Sequence, residues 1–269
     1  MTKKKLAPEK DPWSTYSDFT EDFYHYLVVP KEELIKDSTQ ERVKQMLLII
    51  VGTMGIGKTK LVEEIIHQLR IRYAKQGLEV NAVLTRVSTK ALVEYGFIGN
   101  PERGWDAQKP IQIIVFDDAT SVKLTPEDQR RLCALRHRMM EDTGLKQGII
   151  YTILVTHGWY RLDPVFRRNA LITCFLSVPP LDSYARREYK KLLEKDGTAF
   201  LLDRLARAIK FDDEKGKGLV VIPFNPTLGD DEKVGIITWK EDSDPEYVEI
   251  IKRRDGRLVF KVKNKRKEK

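Results

Sequence analysis

The sequence predicts an α/β fold: a mostly parallel central sheet flanked by helices, with a small basic appendage at the C-terminal end. Two patterns and one turn predict it. From Met46 onward, short β-rich apolar runs alternate with longer amphipathic stretches, the order expected of strands joined by helical crossovers. The runs are almost continuously apolar, as strands are when helices cover both faces of a parallel sheet. Between the first run and the first helical stretch lies a glycine-rich turn at 52–57. A length of 269 residues suits one large domain, or a domain with an appendage.

Residues 1–44 read as an N-terminal arm and approach segment. The first 20 are rich in Lys, Pro, Asp and Ser, with Trp13 and Tyr16 isolated, which suits an arm rather than part of a core. Phe23, Tyr24 and Tyr26 either dock a neighbouring subunit or cover the sheet. Residues 38–46 read as a short polar helix or an approach loop. The main domain spans 45–224, with strands expected at 47–51, 80–86, 111–116, 149–156, 171–177 and 219–224. Helices are expected at 58–76, 88–95, 125–142 and 183–210. Thr125-Pro126-Glu127-Asp128 is a helix start, with Pro in the first turn and acids favoured by the dipole, and Gly144 ends that helix. Asn225-Pro226-Thr227 and the acidic turn at 229–232 mark a boundary. Beyond it, runs at 234–239, 247–252 and 257–263 make 225–269 a β-rich basic appendage.

Composition excludes several classes. With 41% hydrophobic and 33% charged residues, the chain is too apolar to be disordered and too charged to be embedded in a membrane. No apolar run approaches the roughly 18 residues of a spanning helix, and no apolar stretch follows the lysines at 3–5. A cytoplasmic protein with no membrane partner is expected, in the host cytoplasm if the chain is viral. Cys133 and Cys174 are the two cysteines, and no Cys or His cluster has metal-ligand spacing, which fits a reducing compartment. The formal charge of +8 resides entirely in 252–269, leaving the rest of the chain neutral. That basic end, interleaved with Leu258, Val259, Phe260 and Val262, either lies on a nucleic-acid backbone or is a last strand with solubilising charge.

The strongest motif is GTMGIGKT at 52–59, which fits the phosphate-loop pattern GxxxxGK[ST] without mismatch. Gly52, Gly55 and Gly57 let the backbone turn sharply, so that the N–H groups of Thr53, Met54 and Ile56 can face phosphate oxygens at a helix N-terminus. Lys58 is expected on the β and γ phosphates of a nucleotide such as ATP, and Thr59 on Mg²⁺. A second strand, at 111–116, delivers Asp117 and Asp118. Asp117 suits the metal's water shell, and Asp118 suits orienting or polarising an attacking water. A third strand ends in Thr156-His157-Gly158, where Thr156 or His157 senses the γ phosphate or makes a structural hydrogen bond. Arg167 and Arg168 precede another buried strand, a position for an arginine finger supplied by a neighbouring subunit.

In their order, these motifs resemble the HerA/FtsK superfamily of DNA-pumping ATPases, above all the viral genome-packaging branch that includes the poxvirus type. Four blocks carry the resemblance: GTMGIGKT, IIVFDDAT, Arg136-His137-Arg138 before a strand, and LVTHGWYRLDPVFRRNALITCF. In the fourth, Thr156-His157, Pro164 and Arg168-Asn169 match, while Gly158 stands where that branch usually has Gln. The resemblance implies a RecA/FtsK-like P-loop NTPase fold, with 219–224 as its closing strand and Arg168 rather than Arg167 as the finger. It also implies an ATP-hydrolysing motor on double-stranded DNA that packages a viral or mobile-element genome. Such a motor works as a pentameric or hexameric ring, with a capsid or nuclease protein as further partner. Trp105 would then either touch DNA in the ring pore or pack locally. The helical stretch at 183–210 keeps open an AAA+-type replication or plasmid-maintenance ATPase that remodels protein–DNA complexes. A non-catalytic nucleotide switch or a phosphotransferase is a third class; the Asp117-Asp118 pair weighs against the switch, and the phosphotransferase would need an acceptor-specific motif that is not seen.

Overall fold

The fold is described from a computed structural model at residues 18–35, 42–85, 106, 108–119, 125–158, 162, 164–176, 216–222, 233–239, 248–252 and 258–262. Its strands are β1 (Arg42–Val51), β2 (Val80–Thr85), β3 (Ile111–Phe116), β4 (Gln147–Thr156), β5 (Ile172–Phe175), β6 (Lys217–Ile222), β7 (Lys233–Thr238), β8 (Val248–Lys252) and β9 (Leu258–Val262). Each apolar run of the sequence has become a strand. The helices are α1 (Thr20–Leu27), α2 (Lys31–Leu34), α3 (Lys58–Ala74), α4 (Pro126–Cys133), α5 (Leu135–Thr143) and α6 (Pro164–Asn169).

All nine strands form one sheet in the order β7-β6-β5-β1-β4-β3-β2-β8-β9. The pairs from β5 through β1, β4, β3 and β2 to β8 are parallel. Only the outermost pairs, β5 with β6, β6 with β7 and β8 with β9, are antiparallel. The stretch 225–269, expected as an appendage, thus supplies three strands to the edges of the main sheet, β7 on one side and β8–β9 on the other. An apolar strand with unpaired N–H and C=O groups is most stable beside a free sheet edge, which is where these strands lie.

Alternation along the central strands sorts the core into two layers. Leu48, Ile50, Ile113, Val115, Tyr151, Ile153, Ile172 and Cys174 face α3 and pack with its Leu61, Val62, Ile65, Ile66, Leu69 and Tyr73. The next residues along β1 and β4, among them Leu47, Thr152 and Leu154, belong to the other face. Gly148, with φ 145°, lies against the Pro110 carbonyl, which a β-carbon would strike. Cys174 is unpaired and fully buried, and burial pushes its thiol well up, so it is an inert part of the core.

Three sequence expectations change. Residues 42–46, expected as polar helix or loop, are the first half of β1, paired with β4 from Arg42↔Gln147 to Met46↔Tyr151. The strand period shows there, with Val43 buried and Lys44 exposed. The helix expected at 125–142 is two helices, broken at Ala134 (φ −101°, ψ 20°). Residues 18–35, expected within the arm and approach segment, belong to the core instead. Phe19, Phe23, Tyr24, Leu27, Val29 and Leu34 are all buried. Of the two readings of Phe23 and Tyr24, covering the sheet is the one found. The helices expected at 88–95 and 183–210, together with Trp13, Tyr16 and Trp105, lie outside the described residues.

A buried chain of hydroxyls ties this N-terminal segment to the sheet. The Val29 N–H donates to Tyr73 Oη (3.1 Å), the two phenol oxygens of Tyr73 and Tyr151 are 2.7 Å apart, and Tyr151 donates to the Leu27 carbonyl. Since the Tyr151 proton is used on Leu27, Tyr73 must donate to Tyr151, and every group in the chain is satisfied. Removing one link strands the others away from water. Tyr151→Phe is therefore expected to cost about 1–3 kcal/mol in urea unfolding, with an unchanged denaturant slope.

Candidate active site

The site is built at the carboxyl edge of the sheet, where β1, β3 and β4 end side by side. β1 and β4 finish in register, Val51 opposite Thr156, and β3 ends two residues short of that level, with Phe116 opposite Leu154. Because β4 lies between β1 and β3, its terminal Thr156-His157 falls between the glycine turn after β1 and the acid pair after β3.

The turn at 52–57 needs its glycines for separate reasons. Gly55 (φ 79°) and Gly57 (φ 98°) occupy the left-handed region. At Gly52 a β-carbon would come within 2.7 Å of Ile56 Cγ2. The Gly52 N–H donates to the Thr156 carbonyl (3.2 Å), which fastens the loop to the end of β4. Gly57 is the N-terminal cap residue of α3, a 17-residue helix with no acid in its first turn. Its positive end is therefore free to act on an anion. Met54, at the loop tip, is 86% exposed.

Lys58 is only 8% exposed. Its Nζ donates to the Thr53 carbonyl (2.7 Å) and lies 3.1 Å from His157 Nδ1. An ammonium has no acceptor capacity, so Nδ1 accepts and the ring proton sits on Nε2. Burial pushes the Lys58 ammonium below the usual lysine range, while the charges of Asp117 and Asp118 pull it back up. This cation is drawn into a low-dielectric site and held there by two neutral acceptors, an arrangement that favours an incoming anion.

The acid pair is held by the strands on either side. The Asp117 N–H donates to the Thr85 carbonyl at the end of β2 (3.1 Å), and the Ala119 N–H to the Val155 carbonyl in β4 (2.8 Å). Between these anchors Asp118 adopts φ 58°, a conformation that Asp tolerates better than most residues. Thr156 is buried, and its hydroxyl accepts from the Gly158 N–H (3.1 Å), closing the turn that presents His157. Met54, Gly55, Gly57, Lys58, Thr59, Asp117, Asp118 and His157 line one open cavity of about 510 Å³ with Lys60. Gly52, Thr53 and Ile56 shape the loop without lining that space.

Arg167 and Arg168 lie in α6, and among the described residues lining the phosphate-loop cavity there is no arginine. Phe166 and Asn169 of α6 instead line a second cavity of about 400 Å³ with Leu47 and Thr152, beside Arg130, Arg136 and His137. Sequence reasoning missed three neighbours of the loop. Lys60, paired with Glu63 (3.3 Å), is signalled only as a second basic residue after Lys58. Leu176 behind Gly52 and Trp239 behind Gly57 arrive from β5 and β7 through sheet order, and no local pattern announces them.

The donor chemistry fits Mg²⁺. Among the described residues no three His, Cys, Asp or Glu side chains are grouped to cage a metal. Magnesium needs only one or two protein oxygens when phosphates and waters complete its shell. Thr59 and Asp117 face the same cavity and offer a hydroxyl and a carboxylate.

Strand, glycine turn, Lys-Thr helix start and an acid-ended strand, with β4 between them, define a P-loop NTPase fold. Among solved structures, the chain is similar to the genome packaging NTPase B204 of Sulfolobus turreted icosahedral virus 2 in complex with ATP-gammaS. That match has 15% identity, a TM-score of 0.44, and covers 72% of this chain and 97% of that one. It is also similar to the N-terminal domain of zonular occludens toxin from Neisseria meningitidis, at 16% identity and TM-score 0.39, covering 73% and 95%. A third is the pCW3 conjugation coupling protein TcpA with ATPgS, at 15% and 0.38, covering 74% and 62%. No family model and no curated protein sequence matches the chain.

Lys58→Met removes a buried cation and keeps the stem. It is expected to leave the melting temperature of the nucleotide-free protein unchanged or higher. Titration calorimetry with ATPγS should show affinity lower by about 10–100-fold, the value of a charge-assisted hydrogen bond.

Proposed function

We propose that the protein is a Mg²⁺-dependent ATPase that moves double-stranded DNA as a ring, with Arg168 of each subunit completing its neighbour's site. The observation that carries the reading is the meeting of Lys58, Thr59, Asp117, Asp118 and His157 in one cavity. The guanidinium for the transferring phosphoryl group would come from Arg168 of a second subunit, the role the order of the sequence motifs implies for it. The basic stretch 252–269 and the order of the four sequence motifs support duplex DNA as the track.

In this reading triphosphate draws Lys58 off the Thr53 carbonyl and His157 onto the β and γ phosphates, while the loop N–H groups enclose the β phosphate. Thr59 and Asp117 would hold Mg²⁺, which when bound neutralises charge on the phosphate oxygens. Asp118 accepts a hydrogen bond from the attacking water and orients it in line. The bond from water oxygen to the γ phosphorus forms as the bond to the β–γ bridging oxygen breaks, the water proton passing to the released phosphate, giving ADP and phosphate. His157, released from Lys58, turns to the γ phosphate and senses its loss.

Hydrolysis measured at several protein concentrations, with and without long duplex DNA and with Lys58→Ala as blank, tests this. The expected result is stimulation by duplex that rises cooperatively with protein. Robust hydrolysis indifferent to DNA, with a specific activity independent of concentration, would sink the motor. Arg168→Ala is expected to slow hydrolysis by about 10³-fold or more with nucleotide affinity little changed. Mixing it with Lys58→Ala should restore part of the rate, because some interfaces then pair an intact loop with an intact arginine. Replacing Lys263, Lys265, Arg266, Lys267 and Lys269 by Gln should flatten the salt dependence of duplex binding by about 0.9 in slope per lost phosphate contact.

A further inference from the structure

Trp239, the residue after β7, is packed directly behind the phosphate loop. Its indole bridges two glycines, with Cζ3 3.5 Å from where a β-carbon would stand at Gly218 and Cζ2 3.7 Å from the same position at Gly57. The N–H edge of the ring faces the loop, Nε1 lying 4.0 Å from that position at Gly57. The backbone beneath is fixed, since the Trp239 N–H donates to the Gly216 carbonyl (2.9 Å). Trp239 is 8% exposed, and its buried indole N–H has no acceptor among the described residues. Buried indoles ordinarily find one. This donor therefore waits behind the loop at the N-terminal cap of α3.

An acceptor is available from the loop itself. A peptide plane carries its N–H and C=O on opposite sides, so turning the N–H groups inward onto phosphate turns carbonyls outward, toward whatever lies behind. In the structure the Thr53 carbonyl accepts from Lys58, a bond that phosphate bound to Lys58 would compete with. We infer that Trp239 is a positioning residue of the phosphate loop, braced on Gly57, whose indole N–H gains a loop carbonyl when a polyphosphate is bound and so favours that form. The inference rests on the proposed nucleotide site and adds to it a device that sets affinity from outside the cavity.

The test is the ¹H–¹⁵N indole resonance of Trp239, assigned by its absence in Trp239→Phe, followed as Mg·ATPγS is added to the full chain. A downfield shift that saturates with the calorimetric binding curve is expected, with Trp239→Phe binding about 3–10-fold more weakly, the value of one neutral hydrogen bond. Nucleotide binding without movement of the resonance would overturn the inference and leave the nucleotide site standing. A shift accompanied by unchanged affinity in Trp239→Phe would also overturn it, since the N–H would then report without positioning. Failure of the wild-type chain to bind nucleotide at all would remove both readings. If Trp239→Phe does not fold, Trp239→Leu, which also lacks the N–H donor, serves for both the assignment and the affinity.

Discussion

Unbroken parallel pairing of β4 with β1 on one side and β3 on the other is the constraint on which the site depends. The register sets Val51 opposite Thr156 and ends β3 two residues short of them, at Phe116, so three strand ends that are distant in sequence open onto one cavity. Hydrogen bonds across the ends then lock them, Gly52 to Thr156, Asp117 to Thr85 and Ala119 to Val155. A slip of one residue in β4 would turn His157 to the other face and bury a different set of side chains, so the core specifies the geometry of the site.

Within that frame the charge balance is poised. Lys58 is buried against a carbonyl and an imidazole nitrogen, with the Asp117 and Asp118 charges near enough to raise its pKa but opposed by desolvation. A polyphosphate would bring further negative charge to Lys58, and the N-terminus of α3 acts in the same direction. The left-handed backbone at Asp118 is retained because its neighbours are tied to β2 and β4.

The residues that meet in the cavity, Lys60 apart, were legible in the sequence. A glycine turn followed by Lys58-Thr59, and an apolar run ending in Asp117-Asp118, are short patterns whose physics is contained within a few residues. The positions of the nine strands were equally legible, because near-continuous apolar runs have few other uses. What was not legible depended on partners far away in the chain. Arg42 to Met46 read as polar helix or loop until β4 supplied a partner strand, and the N-terminal helix read as arm until Tyr73 and Tyr151 supplied hydrogen bonds for it. Turn signals near 225 were read as a boundary, although the strands beyond them join the sheet at its two edges. Trp239 carried no motif, and its place behind Gly57 follows only from the order β7-β6-β5-β1.

The proposed mechanism requires Lys58 to leave its present partners for phosphate, and a crystal structure with Mg·ATPγS tests this most directly. Lys58 Nζ is predicted on the β and γ phosphate oxygens, with the metal between Thr59 and Asp117 and with His157 Nδ1 freed from the lysine. Nucleotide bound away from the 52–59 loop, or a Lys58 still held by Thr53 and His157 with triphosphate in place, would contradict it.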